Sequence, residues 1–200
     1  MLGLMAAVLL LMAYTPLGYL NIGPLAVTFN VIPVAVCAIV LGPTGGAIAG
    51  AVFGLTSFMQ AIGIGGVSAL GSALFQINPF MTAVQCFGPR ILDGICIGFI
   101  YRAVHKKANT YVSCAVTGFF SAFLNTLFFM TALIVMFGNT ELIRNLMGGH
   151  NIIVGCCLMV GVNAISEMVS STIITAAVGT ALSKAHLIPA VQIVKTDTAA

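Results

Sequence analysis

Charge is what this chain lacks most. Of its 200 residues only seven are Lys or Arg and four are Asp or Glu, 6% together, whereas ordinary soluble domains carry about a quarter. So few charges cannot clothe a water-facing surface, and they exclude a soluble globular protein, a disordered chain and a nucleic-acid platform alike. Trp is absent. The six cysteines, Cys37, Cys86, Cys96, Cys114, Cys156 and Cys157, form no C-x-x-C pair, and the last two are too close for a relaxed two-helix metal site. They read as small packing residues rather than a disulfide framework or metal centre. Pro43-Thr44-Gly45-Gly46 is glycine-rich, but no Gly-Lys-Ser/Thr follows, so any ATP must be hydrolysed by another chain. His105, His150 and His186 form no metal-binding spacing, and no Ser-His-Asp or paired-carboxylate set stands out. An intramembrane enzyme is correspondingly disfavoured.

What is present is apolar: 60% of residues are hydrophobic, the mean hydropathy is +1.15, and there are 22 glycines. A helix crossing the hydrocarbon core takes roughly 20 residues, which leaves room for about six. Punctuation by Gly, Pro and Asn places helix 1 at Met1 to Tyr14, helix 2 at Val27 to Leu41, helix 3 at Pro43 to Gln60, helix 4 at Pro79 to Arg102, helix 5 at Thr110 to Phe137 and helix 6 at Asn151 to Ser183. Helix 1 is short for a span and lacks the charged n-region and cleavage pattern of a signal peptide; one reading is that it begins upstream of Met1. Helices 2 and 3 meet at Leu41-Gly42-Pro43, where Gly relaxes the backbone and Pro opens the next helix.

Arg102, Lys106 and Lys107 follow helix 4, and Lys184 and Lys195 follow helix 6, whereas the loops at 15–26, 61–78 and 138–150 carry only Arg144. By the positive-inside rule both termini are cytoplasmic. The expected architecture is therefore an all-α membrane protein, a six-transmembrane-helix bundle over residues 1–188, with a short, polar, disordered cytoplasmic tail at 189–200. The segments 14–26 and 61–78 are apolar and glycine-rich for exposed loops, which leaves open interfacial packing or a ligand-capping role.

Small-residue stripes recur: Gly46, Gly50 and Gly54 on helix 3, Gly94 and Gly98 on helix 4, and Gly3 with Ala7 on helix 1. Each lets a neighbouring backbone approach, either within the bundle or on a second membrane protein. An unpaired charge at the middle of a span costs about 3 kcal/mol on insertion scales, so each must find a partner. Arg90 and Asp93 lie at i and i+3 on helix 4 and share a face; Glu167 lies mid-helix 6, one turn beyond Asn163, and Asn125 is at similar depth on helix 5. Helices 4, 5 and 6 are thus expected to converge on a polar network of Arg90, Asp93 and Glu167 with Asn125 and Asn163, read either as a structural pin or as the floor of a cavity open to the outer side. Above it, Asn78, Thr82 and Gln85, with Asn30 facing them from helix 2, offer neutral hydrogen-bonding groups that suit a small polar ligand, with Tyr19, Phe75 and Phe80 as rings to close over its apolar parts.

In order along the chain, Leu20-Asn21-Ile22-Gly23-Pro24-Leu25-Ala26-Val27-Thr28, Ile32-Pro33-Val34, Leu41-Gly42-Pro43, Gly54-Leu55-Thr56-Ser57, Asn78-Pro79, Pro89-Arg90-Ile91-Leu92, Asn125-Thr126 and Asn163-x-x-x-Glu167 resemble the substrate-binding S components of energy-coupling-factor (ECF) vitamin transporters. The resemblance implies a bundle in the bacterial cytoplasmic membrane that captures a vitamin-like small molecule from outside and releases it inward. It implies docking on a transmembrane T component bound to two cytoplasmic ATPases, no cofactor in this chain and no nucleic-acid partner. The family's docking face on helix 1 is typically Ala-x-x-x-Ala, and here the matching positions are Gly3 and Ala7. The family's lids would correspond to the first and third outer loops. Arg90 is outnumbered by Asp93 and Glu167, so the sequence does not show it free for a substrate carboxylate, and no Trp is present to stack on a flavin or pterin. The motifs look most like the group of pantothenate, folate and riboflavin carriers, and pantothenate, small and without an aromatic ring, is the expected ligand. The rival readings are a stand-alone secondary transporter, which would need an inverted repeat that the halves do not display, and an assembly subunit, which would leave Asn78, Thr82 and Gln85 without a role.

Overall fold

The computed structural model describes residues 2–15, 19–21, 26–65, 68–146 and 152–187. Seven helices and two short strands are found among them: α1 (Leu2–Ala13), β1 (Tyr19–Asn21), β2 (Ala26–Thr28), α2 (Val31–Ala61), α3 (Ala69–Ile77), α4 (Pro79–His105), α5 (Thr110–Phe137), α6 (Glu141–Leu146) and α7 (Ile152–Lys184). Four helical stretches, Val31–Ala61, Pro79–His105, Thr110–Phe137 and Asn163–Lys184, are long and apolar enough to cross a bilayer, while Leu2–Ala13 is a shorter apolar helix. His150 and the tail at 189–200 lie outside the described residues, as do the side chains of Tyr19, Cys156 and Cys157.

The helix ends follow their capping residues. Asn78 caps α4 by accepting from the Phe80 and Met81 amides, with Pro79 at the first helical position, and Asn109 caps α5 through the Val112 amide. Inside α2, Gly42 takes φ 74°, ψ −165°, a conformation that favours glycine, and Pro43 starts a fresh helical arm. The second arm doubles back: a Cβ on Gly46 would stand 3.0 Å from the Ala38 Cβ. Arg102 from the end of α4 lies over the bend, its Cζ 3.1 Å from where a Gly42 Cβ would be. The turn expected at Leu41-Gly42-Pro43 is therefore present. The first arm is shorter than expected, because Val27 and Thr28 belong to β2, which pairs antiparallel with β1 in the register Tyr19↔Thr28, Leu20↔Val27, Asn21↔Ala26. At 1.5 Å per residue the arm from 31 to 41 is about 16 Å long, half of a bilayer core.

Packing explains the placement of that short arm. Every residue from Val31 to Ile39 is buried, as befits a helix apolar on all sides, and its core cluster takes in Leu9 of α1, Ala49 and Phe53 of the second arm, Ile97 of α4 and Ala122 of α5. The second arm crosses α4 antiparallel through glycine: Cβ atoms on Gly46, Gly50 and Gly54 would meet the carbonyls of Gly94, Arg90 and Cys86, and one on Gly98 would meet Pro43. The stripes on these two helices are thus internal packing surfaces, with no side chain between the backbones. A second antiparallel pair, α5 with α7, is joined by a hydroxyl: Ser171 Oγ donates to the Gly118 carbonyl at 2.8 Å.

The two ends of the bundle differ. The end at Gly42 carries exposed Arg102, Lys106, Lys107 and Lys184, above a small core of Ile39, Tyr101 and Cys114; it is called the basic end below. At the other, the lid end, α3 and α6 close a second cluster in which Leu74 and Ile143 pack on Met130, Leu133 and Phe137 of α5. Gln60 Nε2 donates to the Ala13 carbonyl at 2.8 Å and fixes the end of α1 to the same side.

Candidate ligand site in the lid half

The first arm of α2 begins deep inside the bundle. Ser121, well within α5, donates to the Val31 carbonyl at 3.2 Å, and the Thr28 amide donates to Glu167 Oε1, midway along α7, at 2.6 Å. Strand β2 thus descends toward mid-depth, and the helix starts there. Asn30 stands at the junction, fully buried, and neither its carboxamide oxygen nor its nitrogen has a hydrogen-bond partner. Its backbone amide donates to Thr28 Oγ1 at 3.4 Å. An orphaned buried amide costs roughly 1–3 kcal/mol, and buried polar groups in folded proteins are otherwise nearly always satisfied.

Arg90 is the second unusual group. The ion pair expected with Asp93 does not form, and among the described residues neither Asp93 nor Glu167 pairs with it. Instead its Nη1 donates to the backbone carbonyls of Gln85 (3.3 Å) and Cys86 (3.0 Å). Its Cζ lies 4.7 Å from the Phe53 ring centroid and 5.3 Å from that of Phe129, so two rings from different helices flank one cation. The Nε of Arg90 is buried and unpartnered. Asp93 is 2% exposed, with an unpartnered Oδ1. The guanidinium points back to two carbonyls on the preceding turn, the direction that long helical side chains naturally take, and so away from the carboxylate at i+3.

Gln85 joins the two features. Its Nε2 donates to the Phe129 carbonyl at 2.8 Å while its buried Oε1 has no partner. Asn30, Gln85 and Arg90 thus each present an unfilled polar atom within the lid half, and Phe53, which faces Arg90, belongs to the same cluster as Val31 and Val34. Asn125 and Asn163 are buried at comparable depth, and Ser166 Oγ donates to the Asn163 carbonyl at 2.9 Å.

Other expected contributors do different work. The Asn78 oxygen is engaged in capping α4, and Thr82 Oγ1 donates to the Asn78 carbonyl at 2.9 Å, so this pair secures the helix start. Phe75 packs edge-on to Phe58 at 6.0 Å, and Phe80 is 77% exposed. On α1, Leu9 and Ala13 face the core, while Gly3 and Ala7 are exposed, with nothing within 4 Å of where a Gly3 Cβ would sit. Cys37, Cys86 and Cys114 are buried packing residues and Cys96 is half-buried; no metal-binding cluster occurs among the described residues. Phe53 and Phe129 carry no direct signal of a site role in the sequence, and Thr28 carries one only as the last residue of the Leu20–Thr28 motif. Phe53 was findable only through its neighbour Gly54 on the glycine stripe that faces α4.

An apolar bundle with four helical stretches long and apolar enough to cross a bilayer, and with a ring-flanked cation buried inside it, defines an integral membrane protein. The chain belongs to the family of ECF transporter substrate-specific components, which it matches over residues 1–179. It is 33% identical over 178 residues to the pantothenate transporter PanT of Leuconostoc mesenteroides, covering 86% of this chain and 81% of that protein. It is 29% identical over 180 residues to the pantothenic acid transporter PanT of Lactococcus lactis subsp. cremoris, covering 84% of each.

Proposed function

We infer that this protein captures pantothenate from the outer side of the bacterial cytoplasmic membrane and delivers it inward when docked on an ATP-driven module. The observation that carries the reading is Arg90, whose guanidinium is held by carbonyls and rings and keeps an unpartnered Nε rather than being neutralised by a carboxylate. A ligand carboxylate is the group that such a cation accepts best. Pantothenate also carries an amide and two hydroxyls, and the orphaned atoms of Asn30 and Gln85 suit these neutral donors and acceptors. Two relatives named for pantothenate support the choice.

In this reading the chain crosses the membrane six times: α1, then β2 with the first arm of α2, then its second arm, α4, α5 and α7. The basic end is cytoplasmic, with both termini there, and residues 189–200 form a tail on that side. Asn30, Gln85, Asn125 and Asn163 line the ligand with Arg90; Asn78 and Thr82 hold the start of α4 beside it, and Asp93 and Glu167 complete the intramembrane polar network. A T component docks on the exposed Gly3 and Ala7 face of α1, and two ATPases on that component hydrolyse the ATP, so this chain needs no cofactor of its own.

Calorimetric titration of the purified protein with pantothenate is expected to show one saturable site, weakened about 100-fold by Arg90→Gln, in line with loss of a charge-assisted pair. Proteoliposomes holding this chain alone should bind pantothenate without accumulating it until the T component, both ATPases and ATP are added. Accumulation driven by an ion gradient in their absence would establish a secondary transporter instead, and no saturable binding would remove the reading altogether.

A further inference from the structure

Pro89 is buried within α4, one residue before Arg90. Proline has no backbone N–H, so the carbonyl four residues earlier, that of Gln85, loses its helical donor, and the ring crowds it as well. Inside an apolar bundle such a freed carbonyl needs another donor. Arg90 Nη1 is that donor, 3.3 Å from the Gln85 oxygen, and it bridges to the Cys86 oxygen at 3.0 Å. The same Gln85 sends its side-chain Nε2 to the carbonyl of Phe129, whose ring flanks the guanidinium. One residue therefore anchors both the cation and one of the rings beside it.

We propose that Pro89 is a positioning residue for ligand binding: by withholding a backbone donor it creates the carbonyl acceptor that holds the Arg90 guanidinium between Phe53 and Phe129, with its Nε edge left for an anionic group of the ligand. The proposal rests on the reading above that Arg90 takes the ligand carboxylate. With a residue that has an N–H at position 89, the Gln85 carbonyl returns to the helical ladder. Arg90 then shares only the Cys86 carbonyl with its own backbone amide, and is released toward Asp93 on the next turn, whose Oδ1 has no partner.

The test compares pantothenate with its analogue in which the carboxylate is replaced by a primary alcohol, both titrated by calorimetry. Pro89→Ala is expected to lower affinity for the acid about tenfold, the scale of one charge-assisted hydrogen bond, while affinity for the alcohol stays within about twofold. Combined with Arg90→Gln, it should weaken acid binding no further than Arg90→Gln does alone, because both changes remove the same contact. A second variant carries an α-hydroxy acid at position 89, which replaces the amide by an ester with neither N–H nor ring. It should rescue acid binding, and it keeps the test open if Pro89→Ala fails to fold. Unchanged acid affinity in Pro89→Ala, equal losses for acid and alcohol, or loss of acid binding in the ester variant would each overturn the role of Pro89. An Arg90→Gln protein that binds the acid as the native protein does would instead overturn the carboxylate reading beneath it.

Discussion

Below Asn30, every residue of α2 from Val31 to Ile39 is buried against apolar or small neighbours, and the glycines of the second arm touch α4 backbone directly. At Asn30 and above it, an amide, a glutamine oxygen and an arginine nitrogen are buried with nothing to bond. The contact between the second arm of α2 and α4 is filled to the backbone, whereas the cluster of Asn30, Gln85 and Arg90 keeps unsatisfied polarity at a cost in stability; buried atoms without partners also occur nearer the basic end, at Tyr101, His105 and Thr175. The contrast separates what holds the protein together from what it is built to hold. Close packing at the glycine contact contributes stability, and in the proposed reading the cluster of Asn30, Gln85 and Arg90 gives some of it up so that a ligand can supply the missing partners.

On that division, the largest effect comes from forcing a side chain into the filled glycine contact. In Gly46→Leu the new atoms meet the Gly94 carbonyl and carbon rather than a side chain that can turn aside. The expected loss exceeds about 3 kcal/mol, the upper range of ordinary overpacking, and is read as failure to recover a monodisperse protein by size-exclusion chromatography. Next comes Asn30→Leu, which removes the orphaned amide at similar shape. It should raise the melting temperature of the ligand-free protein by about 2–4 °C, as ~1 kcal/mol does for a chain of this size, while pantothenate no longer raises it. A fall in ligand-free stability would place Asn30 with the packing residues and erase the contrast at that point. Docking should depend on neither region: Gly3→Leu is expected to leave calorimetric binding unchanged yet reduce ATP-driven uptake in reconstituted vesicles at least about tenfold, the order of a lost close helix contact. The smallest effect is expected for Ser171→Ala, which removes one interhelical bond to a carbonyl and should cost about 0.6 kcal/mol in a denaturation midpoint without altering binding.

Much of the frame was legible in the sequence because it is written in backbone chemistry. Asn78-Pro79 and Asn109 mark the starts of α4 and α5 by capping, and Gly42-Pro43 marks a bend by removing one Cβ and one N–H. The glycine stripes announced close contacts, although not which helices met. Harder to read was Val27-Thr28, whose apolar and β-branched character fits a helix or a strand equally well; here it pairs with Tyr19 and Leu20 as strand. The short helices α3 and α6 fell inside segments taken as connections, since few residues give little periodicity. At the site, Arg90 was legible as a costly charge, and Asn30 and Gln85 as neutral polar groups. The i, i+3 spacing allows Arg90 to pair with Asp93, whereas Arg90 donates to the carbonyls of Gln85 and Cys86, because spacing takes no account of a carbonyl set free by proline. Asn78 and Thr82, expected as lining residues, make hydrogen bonds at the helix start, where the Asn78 oxygen accepts from two amides and the Thr82 hydroxyl donates to the Asn78 carbonyl.

The face where Gly46 and Gly94 meet has a genetic corollary. Each glycine is blocked by the other's main chain, so a methyl added on one side cannot be accommodated by trimming the other, which has nothing left to trim. Selection for restored growth on limiting vitamin after Gly46→Ala should accordingly yield true revertants at codon 46, and compensating changes at codon 94 should be missing from the survivors.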